Sequence, residues 1–277
     1  MTKRTIGPPS QALATLVSVC GHAALLEEPD DRATVETQLL FGERVLVIKE
    51  WGDWLEVGKV FGAYCHRGFV RRSALADSAH EATHRVWETW TPIRSIPRLK
   101  AVAVDRISLG SELRVVGEAE DHYQIWPLGW VFKKHVRPIG VVATDFVQTM
   151  RRFVGTPFVW GGRSSFGLDC SGMIQLGLQL AGVSAPRAMA DMSDTLGRRV
   201  EEEGGPLPGD FIFYSGHCGM FVDESHVINS NGKAGRVQIE PFDELHHRMV
   251  NVRQYMYIGH RRLVAEPRPV HGLDRRL

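Results

Sequence analysis

The stretch Gly161-Gly162-Arg163-Ser164-Ser165-Phe166-Gly167-Leu168-Asp169-Cys170-Ser171-Gly172 is a polar, glycine-rich loop that leads one cysteine into an apolar run. The run that follows, residues 173–181, has the length and composition of a buried helix. Cys170 is therefore expected at a helix N-terminus, where unpaired backbone N–H groups and the helix dipole favour an anion. A thiol placed there loses its proton more readily, and the thiolate is the nucleophilic form. The stretch alone leaves two interpretations open, a catalytic nucleophile and a buried structural cysteine.

The composition of the 277-residue chain is ordinary for a soluble globular protein, with 43% hydrophobic and 23% charged residues. Its length favours roughly two domains. Lys and Arg number 33 against 32 Asp and Glu, and this even balance argues against a nucleic-acid partner. The four cysteines are scattered and form neither a disulfide framework nor a zinc pattern. We therefore expect no metal and no cofactor.

The N-terminal segment lacks the pattern of an export signal. Basic residues precede a moderately apolar stretch at 12–26, but Pro8, Pro9 and His22 interrupt the pattern and no small-x-small cleavage site follows. No apolar run reaches the roughly 18 residues that a membrane-spanning helix requires. The expectation is a cytoplasmic protein without a membrane span, and the sequence specifies no oligomeric state.

A β-rich pattern occurs twice in the first 140 residues. Each copy has a strand after a Gly-Glu or Gly-Ser turn, an aromatic-led strand and a Gly-aromatic-Val strand. The first copy comprises residues 41–48, 54–57 and 68–70, and the second comprises residues 109–116, 123–125 and 129–131. The repeat resembles bacterial SH3-like domains, whose short strands curl into a small barrel. The two copies are either structural spacers or domains that bind substrate or wall a cleft, and residues 86–92 are either a linker or the opening strand of the second barrel.

The pattern changes at residues 138–140. Residues 144–154 have helical apolar spacing with Thr144 as the expected N-cap. The cysteine-bearing helix follows, and then come predicted strands at 210–222, 226–230, 235–240 and 250–260. Helices followed by a run of strands predict an α+β domain. The predicted domains are an N-terminal segment with the first SH3-like domain (1–80), a second SH3-like domain (81–140), a catalytic domain (141–264) and a polar tail (265–277).

A reactive cysteine needs a base, and the base needs a group that orients it. Among the downstream histidines, His217 is the strongest candidate because it opens a predicted strand beside a Ser-Gly loop. The orienting group is Asn229 or His226. Side chains alternate faces along a strand, so the choice depends on the length of the turn at residues 223–225. The residues alone leave both open.

Four motifs in this order resemble the NlpC/P60 family of cell-wall cysteine peptidases. They are TPFVWGG at residues 156–162, DCSG at 169–172, PGDFIF at 208–213 and HCGM at 217–220. The resemblance covers roughly residues 141–260 and implies a papain-like α+β fold, with Cys170 as nucleophile and His217 as base. It also favours Asn229 over His226, because the family's third position falls there and an amide oxygen can accept the imidazole N–H.

The resemblance further implies a substrate. The family cleaves peptidoglycan stem peptides, typically between D-γ-glutamyl and meso-diaminopimelate. Members with two leading SH3-like domains and no export signal look like enzymes that trim free muropeptides during cell-wall recycling. The expected partner is therefore a murein peptide with a free N-terminal L-alanine. Asp169, with Tyr64 of the first barrel, is expected to bind that amino terminus, since a carboxylate suits an ammonium; the other implied substrate-binding residues are Trp160, Ser171 and Arg187.

The sequence departs from the family pattern at two places. Phe158 stands where the family usually has tyrosine, so this side chain cannot donate a hydrogen bond to an oxyanion. The segment after Arg187 lacks the hydroxyl and acidic residues expected directly there. Two alternatives to a peptidase therefore stay open: an acyltransferase or amidase on the same Cys–His core, and a wall-peptide-binding protein with a degenerate catalytic domain.

Overall fold

The computed structural model describes residues 11–77, 81–200 and 205–263. The predicted tail at 265–277 lies outside these residues. Two β-barrels follow one another along the chain. They precede a unit of helices and a six-stranded antiparallel sheet. No helix among the described residues has both the length and the apolar character needed to cross a membrane.

The first barrel is one antiparallel sheet of seven strands in the order β3-β2-β6-β5-β4-β1-β7. Its strands are β1 (Ala14–Ser18), β2 (His22–Leu26), β3 (Val35–Leu40), β4 (Arg44–Trp51), β5 (Trp54–Phe61), β6 (Tyr64–Arg71) and β7 (Leu75–Asp77). Every strand contributes a side chain to a single buried cluster. A flat sheet cannot bring all of its strands to one cluster, so the sheet curves around this core.

The second barrel repeats this topology strand for strand. Its strands are β8 (His84–Val86), β9 (Trp90–Arg94), β10 (Ala103–Ser108), β11 (Glu112–Ala119), β12 (His122–Trp126), β13 (Trp130–Phe132) and β14 (Val136–Pro138). Their order, β10-β9-β13-β12-β11-β8-β14, is that of the first barrel with each strand replaced by the one seven places later. In both barrels a 3-10 turn, Arg72–Ala74 or Lys133–His135, precedes the last strand. Residues 86–92 thus belong to the second barrel, where they end β8 and begin β9.

The third unit packs helices on both faces of a six-stranded antiparallel sheet. Its helices are α1 (Phe146–Arg151), α2 (Cys170–Leu180), α3 (Met189–Thr195) and α4 (Phe242–His247), and a short hairpin of β15 (Arg163–Ser164) and β16 (Gly167–Leu168) precedes α2. The sheet has the order β17-β22-β18-β19-β20-β21. Its strands are β17 (Arg198–Val200), β18 (Phe211–Tyr214), β19 (His217–Phe221), β20 (His226–Asn231), β21 (Arg236–Pro241) and β22 (Tyr257–Arg262).

Alternate residues of the central strands face different cores. Cys218 and Met220 of β19 belong to the cluster that includes α2, whereas Phe221 belongs to the cluster formed with α4. This division follows from the two-residue period of a strand. Helix α2 therefore lies across the middle of the sheet, with its first residues close to β19.

Two predicted boundaries in this unit are wrong. The side chain that caps α1 is Asp145, whose Oδ1 accepts from the backbone N–H of Gln148 at 2.9 Å, and not Thr144. The predicted strand at 250–260 is divided into a π-helical turn, Arg248–Val252, and the strand β22. Val250 packs against the core on the α4 side, so the apolar residues at the start of this segment serve a helical turn.

Arg163, in the loop before the nucleophile, is anchored in the first barrel. It is fully buried, and its guanidinium pairs with Glu43 and donates to Gln179 Oε1 at 2.9 Å. Its backbone N–H donates to Gln38 Oε1 at 2.9 Å. Burial opposes ionisation of Glu43, but the charges of Arg163 and Lys59 outweigh it and lower the pKa of Glu43 to about 2. The loop is thus joined to the first barrel by a buried ion pair.

The next residues of the same loop contact the second barrel. The backbone N–H of Ser165 donates to Ser108 Oγ at 2.8 Å. The ring of Phe166 lies between His22 of the first barrel, with ring centroids 5.7 Å apart, and the guanidinium of Arg106 of the second, 4.7 Å from its centroid. Both barrels therefore hold the loop that carries the predicted nucleophile.

Candidate active site

Cys170 is the first residue of α2, as its sequence context predicted. Asp169 caps the helix, and its Oδ1 accepts from the backbone N–H of Gly172 at 2.6 Å. A Cβ atom on Gly172 would lie 2.1 Å from the carbonyl oxygen of Gly162. Only glycine therefore allows the glycine-rich loop to rest directly on the first turn of the helix. This contact places the Cys170 thiol at the positive end of α2.

The thiol of Cys170 is poised to ionise. A hydrogen bond from the Cys218 thiol lowers the pKa of Cys170 well below its usual value; burial opposes the shift, and the hydrogen bond and charge of His217 reinforce it. Burial raises the pKa of Cys218 well above its usual value, so this neighbour remains a protonated donor. Cys170 accordingly has the properties of a thiolate nucleophile.

Asn229 lies against the imidazole of His217. The distance between His217 Nε2 and Asn229 Oδ1 is 3.1 Å, and both residues are buried. The amide nitrogen of Asn229 donates to Glu240 Oε1 at 2.7 Å, and Arg248 donates to the same oxygen at 2.6 Å. An ionised carboxylate can only accept, so Glu240 turns the amide oxygen of Asn229 toward His217. Nε2 of His217 then carries the hydrogen, and Nδ1 is left to face Cys170.

The strand register explains why Asn229 and not His226 reaches His217. Strands β19 and β20 pair Met220 with Ile228 and Phe221 with Val227. A Cβ atom on Gly219 would lie 3.2 Å from Asn229 Cβ, so this glycine leaves room for the amide beside His217. His226 is the first residue of β20, and its Nδ1 lies 3.0 Å from Oδ1 of Asp223 in the preceding turn.

A cleft of about 700 Å³ opens above these residues. One wall comes from the first barrel and is formed by Glu27, Thr34, Val35, Glu36 and His66. Cys170 and His217 line the floor, and Met249, Arg253 and Tyr255 line the side next to His217. No group of three or more His, Cys, Asp or Glu side chains within the described ranges is arranged to hold a metal ion.

Four of the five predicted substrate-binding residues line this cleft, namely Asp169, Trp160, Ser171 and Arg187. The fifth, Tyr64, is not among its described lining residues. It follows the tip of the β5–β6 hairpin, where Gly62 packs against Ser184 beyond the C-terminal end of α2, whereas Cys170 is at the N-terminal end. His66, two residues further along β6, occupies the cleft wall beside Glu36, with His66 Nε2 and Glu36 Oε2 3.4 Å apart. No motif in the sequence indicates that His66 or Glu36 would line the cleft.

The guanidinium of Arg187 is hydrogen-bonded to three side chains in and around the site. Its guanidinium donates to Asp169 Oδ2 at 2.6 Å, Ser171 Oγ at 2.7 Å and Thr37 Oγ1 of the first barrel at 2.7 Å. Burial raises the pKa of Asp169, and the charge of Arg187 acts against this shift. A carboxylate oxygen can accept more than one hydrogen bond, so the geometry still allows Asp169 to accept from a substrate ammonium.

The sequence and structure comparisons agree with this architecture. Residues 155–256 match the model of the NlpC/P60 family. The chain is 25% identical over 250 residues to a dipeptidyl-peptidase 6 of Lysinibacillus sphaericus, a match that covers 81% of this chain and 90% of the relative. It is 25% identical over 230 residues to a gamma-D-glutamyl-L-lysine dipeptidyl-peptidase of Bacillus subtilis, covering 74% and 75% of the two chains. A crystal structure of an NlpC/P60 family protein from Bacillus cereus has a TM-score of 0.75 at 21% identity and covers 91% of this chain and 100% of that one. The predicted α+β fold with two leading SH3-like barrels is therefore confirmed.

Proposed function

We propose that this chain hydrolyses the γ-D-glutamyl–diaminopimelate bond of peptidoglycan stem peptides, with the NlpC/P60 domain that follows its two SH3-like barrels. The observation that carries the proposal is the Cys170–His217–Asn229 arrangement at the floor of a cleft that the first barrel helps to wall. The relative from Bacillus subtilis is named for the γ-D-glutamyl-L-lysine bond, and lysine, like diaminopimelate, is a diamino acid, so the name supports the same class of bond here.

In the proposed first step, the Cys170 thiolate attacks the γ-carbonyl carbon of the D-glutamyl residue. A carbon–sulfur bond forms, and the carbonyl electrons move onto oxygen. The backbone N–H of Cys170 at the start of α2 is directed to stabilise this oxyanion. When the intermediate collapses, the amine of the diamino acid leaves with the proton that Nδ1 of His217 took from the Cys170 thiol. Water, with its proton taken by His217, then hydrolyses the thioester and releases Cys170.

Asn229 has a positioning role in this scheme. Its amide oxygen holds the Nε2–H of His217 and thus directs Nδ1 at the thiol. Glu240 and Arg248 keep the amide in that orientation. Burial opposes ionisation of Glu240, but its bonds to Arg248 and Asn229 prevail and lower its pKa, so it remains an acceptor.

We further propose that the substrates are free muropeptides with an unblocked L-alanine and that the enzyme acts on them in the cytoplasm during cell-wall recycling. Support comes from the acidic residues at the barrel side of the cleft, where Glu27 and Glu36 accompany Asp169. Carboxylates that line the same cleft as the proposed nucleophile favour a substrate whose cationic amino terminus lies on that side.

The reaction is tested with synthetic L-Ala-γ-D-Glu-diaminopimelate. The purified protein is expected to release L-Ala-γ-D-Glu and free diaminopimelate, detected by mass spectrometry. Cys170→Ala should lower the rate by at least about 10³-fold because the nucleophile is lost. Cys20→Ser, in the first barrel, is the matched loss of a thiol outside the cleft and should retain activity. Activity in Cys170→Ala would exclude the mechanism.

Two further experiments test which diamino acid the enzyme prefers and whether it hydrolyses or transfers the acyl group. Cleavage of the lysine analogue with no cleavage of the diaminopimelate peptide would exclude diaminopimelate as the preferred residue. An added acceptor amine should leave hydrolysis as the main outcome, whereas a transfer product would favour the acyltransferase alternative.

The role of the amino terminus is tested by acetylating the L-alanine of the same peptide. Acetylation removes the positive charge that the carboxylates are proposed to bind, so kcat/KM should fall by at least about tenfold. Equal rates for the free and acetylated peptides would contradict both the Asp169 assignment and a preference for free muropeptides.

A further inference from the structure

A second cysteine lies beside the nucleophile. Cys218 follows His217 on β19, and its side chain faces α2, within the buried cluster against which Cys170 packs. Helix α2 packs on β19, and the Cys170 side chain packs on the cluster that holds Cys218, which brings the two thiols near each other. Hydrogen bonding from the thiol and the backbone N–H of Cys218 is among the causes of the lowered pKa of Cys170, in agreement with this packing.

The two thiols differ in their access to solvent. Cys170 is half-buried and lines the cleft, whereas Cys218 is fully buried. A small oxidant that enters the cleft thus meets Cys170 first. The lowered pKa of Cys170 and the raised pKa of Cys218 give the same order of reactivity, since thiolates react with peroxides and thiols do not.

We propose that Cys170 and Cys218 are an oxidative modification site at which a hydroperoxide converts the catalytic thiolate into a reversible intramolecular disulfide. The Cys170 thiolate attacks a peroxide oxygen, a sulfur–oxygen bond forms, and the oxygen–oxygen bond breaks to release hydroxide or an alkoxide. The Cys218 sulfur then attacks the Cys170 sulfur. A sulfur–sulfur bond forms, the sulfur–oxygen bond breaks, and the thiol proton and the hydroxyl leave as water, so the peroxide has taken two electrons from the thiol pair.

The disulfide has two consequences for the site. It removes the nucleophile until a thiol reductant restores it, so hydrolysis is reversibly stopped. It also prevents a second peroxide from converting Cys170 to the sulfinic acid, which ordinary thiol reductants do not reverse. The chemistry depends on the thiol pair alone and holds whichever peptide the enzyme cleaves.

The disulfide is detected directly in the full-length protein. The protein is treated with hydrogen peroxide, its remaining thiols are alkylated with iodoacetamide in denaturant, and the digest is mapped by mass spectrometry. The expected product links the Cys170 and Cys218 peptides with the loss of two hydrogen atoms, while Cys20 and Cys65 are alkylated. Sulfinic or sulfonic acid at Cys170 together with alkylated Cys218 would overturn the proposal.

A variant provides a second, independent measurement. Each protein is treated with peroxide and then with dithiothreitol, and the iodoacetamide labelling of Cys170 is measured. Recovery is this labelling divided by the labelling of the same protein without treatment. The wild type and the control Cys20→Ser should recover nearly all labelling, whereas Cys218→Ser should recover at least about tenfold less because its Cys170 is over-oxidised. Equal recovery in Cys218→Ser would overturn the proposal, and the wild-type peptide map decides the question if that variant does not fold.

Discussion

At the scale of single residues, the site depends on an asparagine that connects an imidazole to a buried carboxylate. The amide of Asn229 can accept with its oxygen and donate with its nitrogen, and it does both, to His217 and to Glu240. A carboxylate placed directly against His217 would also accept, but it would add a charge to a fully buried position. Asn229 contacts the imidazole of His217, the proposed base, without adding that charge, and it leaves Glu240 to pair with Arg248.

Replacement of Asn229 by alanine should lower kcat about 10- to 100-fold, because His217 loses the partner that fixes its ring and tautomer. KM should change little, since Asn229 does not line the cleft. The matched control is His226→Ala on the same strand, whose side chain bonds Asp223 in the turn. Steady-state kinetics over a range of pH separates the two variants. Equal losses in both would exclude a specific role for Asn229.

At the scale of secondary structure elements, the sequence predicts where the helix of the site begins but not which residue contacts His217. The start of α2 at Cys170 was predictable because a glycine-rich loop gives way abruptly to an apolar run. The partner of His217 was not, because it depends on how many residues the β19–β20 turn uses, and the local sequence 223–225 suits more than one turn. The resemblance to the NlpC/P60 family favoured Asn229 because the family's third position falls at this residue, whatever the length of the turn.

The close contact between the loop and α2 gives a prediction about stability. Gly172→Ala should lower the free energy of unfolding by about 1–3 kcal/mol, because the new methyl group would meet the backbone carbonyl of Gly162. Gly177→Ala, in the same helix, is the control because its methyl group would meet the side chains of Met150 and Phe146 and not a backbone carbonyl of the loop. Alanine gains about 1 kcal/mol of helix propensity in a helix interior, where Gly177 lies, and this intrinsic gain opposes any loss of stability at Gly172, so a net loss in Gly172→Ala reflects the contact. Urea unfolding measures it, and equal stabilities would show that the loop shifts freely.

At the scale of the whole molecule, the sequence predicted the units but not how they are joined. The repeated barrels were detectable because each copy carries its own turn glycines and aromatic strands. The ion pair between Glu43 and Arg163 joins residues 120 positions apart, and nothing local marks either one. The cleft wall was missed for the same reason, since Glu36 and His66 approach Cys170 only after the first barrel docks.

That ion pair should appear in the acid unfolding of the protein. The pKa of Glu43 is about 2 in the fold against an ordinary 4.5, so its carboxylate is favoured by folding. The difference corresponds to about 3 kcal/mol of unfolding free energy, present above pH ~4.5 and lost as the pH falls toward 2. Glu43→Gln should therefore be less stable than wild type at pH 7, and the gap should narrow toward pH 2. The control Glu50→Gln removes an exposed ion pair with Arg72 and should match wild type throughout. Urea unfolding at several pH values measures the gap, and a gap that stays constant down to pH 2 would show that the ionised Glu43 does not stabilise the junction of the barrel and the active-site loop.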